Sequence, residues 1–297
     1  MATPAVSLRV SPPAGTPTKG YLVWVPGATH HSADAFGRMM AVMANEGYES
    51  VSVRLPKSRC ASTAQYIETV AQVCSTLPER PIVVGHSLAG GLAQQMLSTR
   101  RVPERYASHW PMQALLLCPV PAMLPATYFL FLLRLLFFEP IGLLLSALFV
   151  NPAYLVGGGD SACCRSLNRA TRTLFTERNI ASTTLPVPLE SPALPIEDFH
   201  LGMAQYETFA YILTYLIFGF CRSSPANARV AIVGSRDDRI VRPWMHARTV
   251  RWWGEERARS VTVAGQGHML GDAGWEHVAT QCVDLLKWLM MSDNASV

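Results

Sequence analysis

The amino-acid sequence predicts an α/β fold, with a doubly wound, mostly parallel sheet and a helical insertion. Short apolar runs rich in β-branched residues alternate with segments of helical periodicity in both outer parts of the 297-residue chain. This alternation stops after residue 120 and resumes at residue 226. A structureless loop of that length is uncommon inside a compact domain. We therefore expect residues 1–120 and 226–297 to form one core and residues 121–225 to form a helical cap.

The strand near residue 82 shows how the elements are recognised. Ile82, Val83 and Val84 form an apolar run that follows Pro81 and ends at Gly85, as is typical of a strand buried in a parallel sheet. By similar criteria, strands are predicted near residues 6–10, 21–25, 49–54, 81–85, 112–118, 228–234 and 260–264. Helices are predicted near residues 33–46, 63–76, 88–100, 243–253 and 275–291. In such a sheet a functional site is expected at the carboxyl ends of the strands.

The composition favours a globular protein that does not bind nucleic acid. Hydrophobic residues make up 49% of the chain, which is enough for a large core, and charged residues only 15%. The formal net charge of +4 comes almost entirely from arginine, and many of these arginines lie between residues 229 and 259. We interpret them as a solvated face, since the sequence contains no basic stripe or motif for nucleic-acid recognition.

The cysteines and the N-terminal residues indicate a cytoplasmic protein. The chain has seven cysteines, an odd number, and they show neither Cys-x-x-Cys nor the Cys/His spacing of a metal site. Reduced, buried thiols are therefore expected, and no metal is expected. Residues 1–6 lack the basic and apolar regions of a secretory signal.

The predicted cap begins with an unusually apolar segment, residues 127–150, whose only charges are Arg134 and Glu139. The segment is long enough to be considered as a membrane span. However, those charges, together with Pro140 and Gly142, divide it into two shorter helices. We therefore favour a cap over an apolar cleft, while peripheral contact of the cap with a membrane stays open.

The chain's most informative feature is Ser87, which directly follows the strand near residue 82. The residues after it, Leu88 to Leu97, have a helical pattern whose first turn carries little bulk. This arrangement predicts a sharp turn from strand to helix with the serine at its tip. The backbone N–H of Leu88 would then lie at a helix N-terminus, which favours a developing negative charge. The alternative is a serine that merely caps the helix.

The segment Gly85-His86-Ser87-Leu88-Ala89 resembles the nucleophile elbow of the α/β-hydrolase superfamily, G-x-S-x-G, although Ala89 replaces the last glycine. The resemblance covers nearly the whole chain and implies that Ser87 is a nucleophile. It also implies an oxyanion hole made by the N–H groups of Leu88 and Ala28. In the turn before Ala28, proline replaces the usual histidine, which leaves the backbone donor in place.

The resemblance implies an acid and a base on later loops, in the order Ser, Asp, His. The strand near 228–234 is followed by Asp237 and Asp238, and the pattern of similar hydrolases favours Asp238, while Asp237 remains an alternative. The end of the preceding strand, residues 117–121, carries no carboxylate. His268 follows the strand near 260–264 in a glycine-flanked loop and would be the base.

These features together predict a capped serine hydrolase, esterase-like or lipase-like, of an uncharacterised subfamily. It would cleave an apolar ester or thioester through an acyl-enzyme on Ser87, without any cofactor or metal. Two alternatives stay open: a ligand-binding protein that keeps the fold without turnover, and an enzyme that cleaves C–C bonds or catalyses an elimination. The sequence gives no indication of the oligomeric state.

Overall fold

A computed structural model describes residues 6–27, 33, 36–56, 62–99, 102–121, 225, 227–238, 241–268, 270–271 and 274–291. The predicted cap, residues 121–225, lies outside the described residues except for its two terminal prolines. The division into core and cap therefore stays a prediction. Ala28 also lies outside them.

The described strands form one sheet whose order confirms the predicted fold class. They are β1 (Val6–Val10), β2 (Gly20–Val25), β3 (Tyr48–Val53), β4 (Ile82–His86), β5 (Gln113–Leu117), β6 (Arg229–Ser235) and β7 (Ala258–Val263). The sheet order is β1-β3-β2-β4-β5-β6-β7. Only β1 pairs antiparallel, with β3, and all other neighbours are parallel. The sheet is therefore mostly parallel, as predicted.

Helices cover both faces of the sheet. They are α1 (Gly37–Asn45), α2 (Thr63–Cys74), α3 (Leu88–Leu97), α4 (Pro243–Trp253) and α5 (Trp275–Met290). Helices α1 and α5 pack against each other and on one face, while α2 and α3 contact each other on the opposite face. Helix α4 lies on the same face as α3, because the Trp253 indole donates a hydrogen bond of 3.1 Å to Gln94 of α3. A strand between two helical layers is buried from solvent on both faces, which explains the continuous apolar runs in the sequence.

The parallel register brings the ends of the central strands to one edge. Val25 pairs with Gly85, His86 pairs with Leu117, and Leu117 pairs with Val233. Residues that follow β4, β5 and β6 therefore come together although they are distant in sequence. This edge is where the sequence placed the functional site.

Glycine allows helix α3 to approach this edge closely. A Cβ atom built on Gly90 would lie 2.9 Å from the Cα of Pro119, which follows β5. A Cβ on Gly85 would lie 2.6 Å from the carbonyl oxygen of Ala89. These separations leave no room for a methyl group, so the turn around Ser87 depends on both glycines. Ala89, the departure from the elbow pattern, is itself fully buried and accommodated.

Among the helices that the structure describes, none combines the length and the apolar character needed to cross a membrane.

Gly90→Ala tests the tight packing of α3. The added methyl group would overlap Pro119, so we expect the free energy of unfolding to fall by about 2 kcal/mol. Chemical denaturation measures this loss. Gly20→Ala is the matched control, because a Cβ there would meet only Met290 and Tyr48 at ordinary distances of 3.7 to 3.8 Å. Equal stability of the two variants would contradict the interpretation.

Candidate active site

Ser87 occupies a strained turn between β4 and α3. It is the single residue between His86, where β4 ends, and Leu88, where α3 begins, and its φ and ψ are 54° and −118°. A positive φ is uncommon for a residue other than glycine. The conformation is held by the backbone: the Ser87 N–H donates to the Leu117 carbonyl at 2.9 Å, and the Ser87 carbonyl accepts the N–H of Val120 at 2.9 Å. A strained backbone conformation that surrounding hydrogen bonds hold in place is typical of functional sites.

The structure brings Ser87, His268 and Asp238 into one hydrogen-bonded chain. The distance from Ser87 Oγ to His268 Nε2 is 2.8 Å, and from His268 Nδ1 to Asp238 Oδ2 also 2.8 Å. His268 and Asp238 are buried, and Ser87 is partly exposed. With an ionised carboxylate, His268 carries its proton on Nδ1, and Nε2 is left to accept the serine proton. The imidazole can therefore act as a base towards the serine hydroxyl.

The two adjacent aspartates have different partners. Asp238 is fully buried, and its Oδ1 accepts the N–H of Val241 at 2.9 Å while its Oδ2 faces His268. Asp237 is exposed, and its Oδ2 accepts the backbone N–H of Gly265 at 2.6 Å. Asp238 thus contacts the imidazole, whereas Asp237 fixes the loop that carries it. This geometry favours Asp238 as the acid of the two.

His86 is a site residue that the sequence reasoning did not single out. Its Nε2–H donates to the backbone carbonyl of His268 at 3.0 Å, and the two rings lie 4.9 Å apart. The ring of Phe36 also lies 5.1 Å from that of His86. His86 therefore ties the loop of His268 to the strand that carries Ser87. Its position next to the serine was the available signal, but the partner comes from 182 residues away in sequence.

Cys118 is a second residue that the sequence reasoning passed over. It directly follows β5 and is fully buried, and its Sγ lies within 4.8 Å of both a carboxylate oxygen of Asp238 and a ring nitrogen of His268. Burial raises the pKa of its thiol well above the usual range, and the nearby carboxylate of Asp238 adds to this. Cys118, Asp238 and His268 are close enough together to surround a metal ion. We interpret them as a hydrogen-bonded group, because the imidazole and the carboxylate already bind each other.

The oxyanion hole that the resemblance implied is described only in part. Leu88 is the first residue of α3, so its N–H lies at the helix N-terminus beside Ser87. Ala28 lies outside the described residues. The preceding residue, Gly27, is close to the serine, since a Cβ built there would lie 3.0 Å from the Cβ of Ser87. The end of β2 therefore approaches the turn, as the sequence predicted.

A buried, uncharged histidine lies behind the site. His246 of α4 packs against Gly234 of β6, and within the described part of the chain neither ring nitrogen has a hydrogen-bond partner. Burial lowers its pKa to about 4, although the Asp238 carboxylate acts in the opposite direction. His246 is therefore neutral near pH 7.

The comparisons with known proteins identify the family of the chain. The model of the alpha/beta hydrolase family matches residues 22–279. That match spans well over half of the chain, and the chain therefore belongs to the alpha/beta hydrolase family and is a hydrolase enzyme. No curated protein matches the chain in sequence.

Solved structures share the fold at low sequence identity. A monoacylglycerol lipase from Paleococcus ferrophilus is 18% identical, with a TM-score of 0.57 over 95% of this chain and 97% of that chain. An esterase from Exiguobacterium antarcticum is 12% identical, with a TM-score of 0.61 over 94% of each chain. A thermophilic esterase from Thermogutta terrifontis is 12% identical, with a TM-score of 0.60 over 95% and 98%. At these identities the likeness shows the fold alone.

His246 is expected to make the fold sensitive to acid. Its pKa is lower in the folded protein than in the unfolded chain, so the unfolded state binds more protons below pH 6.5. Its contribution to stability is complete above pH 6.5 and is lost as the pH falls towards 4. This loss is about 3 kcal/mol between pH 7 and pH 4.

His246→Phe removes the titrating group and keeps a ring against Gly234. Urea denaturation at several pH values should show a smaller loss of unfolding free energy on acidification for this variant than for the wild type. His277→Phe, at an exposed position of α5, should follow the wild type. A His246→Phe curve parallel to that of the wild type would show that the imidazole is not the acid-sensitive group.

Proposed function

We propose that the chain is a serine hydrolase that cleaves an ester or thioester with a sizeable apolar portion. Ser87 is the nucleophile, His268 the general base and acid, and Asp238 the residue that orients His268. The observation that carries this proposal is the continuous chain of two 2.8 Å hydrogen bonds from the Ser87 hydroxyl to the Asp238 carboxylate. A hydroxyl is a weak nucleophile, and this arrangement supplies the base that activates it.

The proposed reaction has two halves. The Ser87 Oγ attacks the carbonyl carbon of the substrate while its proton passes to Nε2 of His268, and the carbonyl oxygen becomes an oxyanion near the N–H of Leu88. Collapse of this tetrahedral intermediate expels the alcohol or thiol, which receives the proton from His268. Water then attacks the acyl carbon of the acyl-enzyme while His268 takes its proton. The second tetrahedral intermediate breaks the bond to Ser87 Oγ, which receives this proton from His268, and the carboxylic acid is released.

The position of Ser87 supports the first half of this scheme. The serine lies at the amino end of α3, where unpaired N–H groups and the helix dipole stabilise negative charge. Its side chain is partly exposed, whereas the base and the acid behind it are buried. A substrate can thus reach the oxygen, while solvent has little access to the pair that activates it.

The apolar substrate class is proposed from sequence and from the neighbours. The segment at residues 127–150 carries only two charges, which suits a lining for an acyl chain. The structural neighbours named above are a lipase and two esterases. A reducing compartment such as the cytoplasm is proposed from the thiols of Cys74, Cys118 and Cys282, which are free and buried.

Ser87→Ala is expected to abolish ester hydrolysis. With p-nitrophenyl esters whose acyl chains have two to ten carbons, the rate constant kcat of Ser87→Ala should be lower than that of the wild type by roughly a thousandfold or more. The kcat of His268→Ala should be lower by a similar factor. An organophosphorus probe should label the wild type and not Ser87→Ala. Equal labelling of both proteins would refute the assignment of Ser87 as the nucleophile. A wild type that hydrolyses none of these esters would favour a ligand-binding protein or an enzyme that cleaves C–C bonds.

Asp238→Asn and Asp237→Asn form a matched pair of neighbouring carboxylates. Asp238→Asn replaces the acceptor of the His268 Nδ1–H by an amide, which favours the wrong tautomer, so kcat should fall roughly a hundredfold or more. Asp237→Asn keeps an acceptor for the Gly265 N–H and should retain most of kcat. Steady-state kinetics of both variants on one ester decide the assignment, and the reverse order would make Asp237 the acid.

A further inference from the structure

We propose that Cys118 is a positioning residue of the active site, whose S–H donates to the carboxylate of Asp238 and so helps to hold His268 against Ser87. This inference deepens the proposed function and rests on it. It assigns a role to the end of β5, where the sequence had shown only that a carboxylate is absent.

Cys118, like Ser87, has a positive φ. Its φ is 43°, in the left-handed region, and its N–H donates to the carbonyl of Val233 at 2.8 Å, which extends the pairing between β5 and β6. Glycine would adopt this conformation without strain. The presence of a residue with a side chain at a strained, fully buried position next to the site suggests that the side chain itself is used.

The surroundings of the sulfur fit a bridging thiol. The Cys118 thiol hydrogen-bonds to the Asp238 side chain, and the backbone of Ser235 hydrogen-bonds to the sulfur. Because burial and the carboxylate both raise its pKa, the thiol keeps its proton and acts as the donor. The sulfur thus connects the end of β6 with the acid that follows three residues later.

A weak donor is suited to this carboxylate. Each oxygen of Asp238 already accepts one hydrogen bond, from Val241 or from His268, and a carboxylate has room for about four. In a fully buried site, a further donor fixes the orientation of the carboxylate. A strong donor would also draw charge away from it and weaken its attraction for the protonated imidazole. A thiol orients the carboxylate while leaving most of its charge for His268.

Other titratable groups face this cluster and are kept constant in the test. His246 of α4 interacts electrostatically with Asp238 and His268, and Cys282 of α5 interacts with Cys118. The ring of His86 lies 4.9 Å from that of His268. None of these residues is changed in the variants below, so a change in the pH profile arises at position 118.

Three substitutions separate the hydrogen bond from the backbone strain. Cys118→Ser keeps a donor and strengthens it, Cys118→Ala deletes the donor, and Cys118→Gly deletes the donor while relieving the left-handed backbone. The measurements are kcat, KM and the pH profile of kcat/KM on one p-nitrophenyl ester that the wild type cleaves. Labelling of Ser87 with an organophosphorus probe confirms that each variant is folded and carries a competent serine.

We expect the acidic limb of the pH profile of kcat/KM to shift in one direction in Cys118→Ser and in the opposite direction in Cys118→Ala and Cys118→Gly. A serine hydroxyl draws charge from the carboxylate, which destabilises the protonated imidazole, so the midpoint of the limb should fall by about 0.4 pH unit. Deletion of the donor should raise the midpoint by a similar amount in both the Ala and the Gly variants. These two variants should also lose roughly fivefold in kcat, with KM within about twofold of the wild type.

Each outcome supports or overturns the proposal. The proposal is supported if the acidic limb shifts in opposite directions in the Ser and Ala variants and if the Gly variant resembles the Ala variant. A wild-type profile in all three variants, or full recovery of kcat in Cys118→Gly, overturns it, because the residue would then act only through the backbone. Cys74→Ser, at a buried cysteine of α2, is the control and should leave the limb in place. If the wild type itself shows no Ser87-dependent hydrolysis, the proposed function is overturned as well. The two failures are therefore distinguishable.

Discussion

The site depends on the backbone geometry of the turn at Ser87. A positive φ at a serine costs free energy, and the turn persists because three neighbouring groups hold it. The carbonyl of Leu117 binds its N–H, and the N–H groups of Gly90 and Val120 bind its carbonyl. Two of these partners lie in or beside β5, so the sheet itself fixes the serine. The hydroxyl is thereby directed to the edge of the sheet where the loops after β6 and β7 begin.

The electrostatics of this edge follow from one buried negative charge. An ionised carboxylate at a position of zero exposure is costly unless donors surround it. Asp238 receives the N–H of Val241 and the Nδ1–H of His268, and the neutral thiol of Cys118 lies beside it. Burial also keeps His246 uncharged near pH 7, so this ring adds no positive charge beside the carboxylate. The positive charge that the proposed mechanism places on His268 would thus find its counter-charge already in place.

Most of the fold that the structure describes could be predicted from the sequence, because buried parallel strands are short continuous apolar runs whereas amphipathic helices repeat with a helical period. The predicted ends of β1 and β6 agree with the structure to within one residue, whereas α1 begins at Gly37 rather than near residue 33. The predicted positions of Ser87 and His268 followed from turns next to recognisable strands. The contacts of His86 and Cys118 could not be predicted, because they depend on which strands are neighbours. Strand order and register decide those contacts, and a single sequence specifies neither directly.

The adjacent carboxylates show why sequence pattern and geometry are both needed. Neighbouring residues in a turn point in different directions, so a pair such as Asp237 and Asp238 cannot both reach the imidazole. In the structure one aspartate binds the ring of His268 and the other binds the backbone of Gly265, three residues before it. The Ser235 hydroxyl adds a further bond to the carbonyl of Gln266. The loop of His268 is therefore held by the same turn that carries Asp238, and the proposed proton transfer from Ser87 requires a base with little freedom to move.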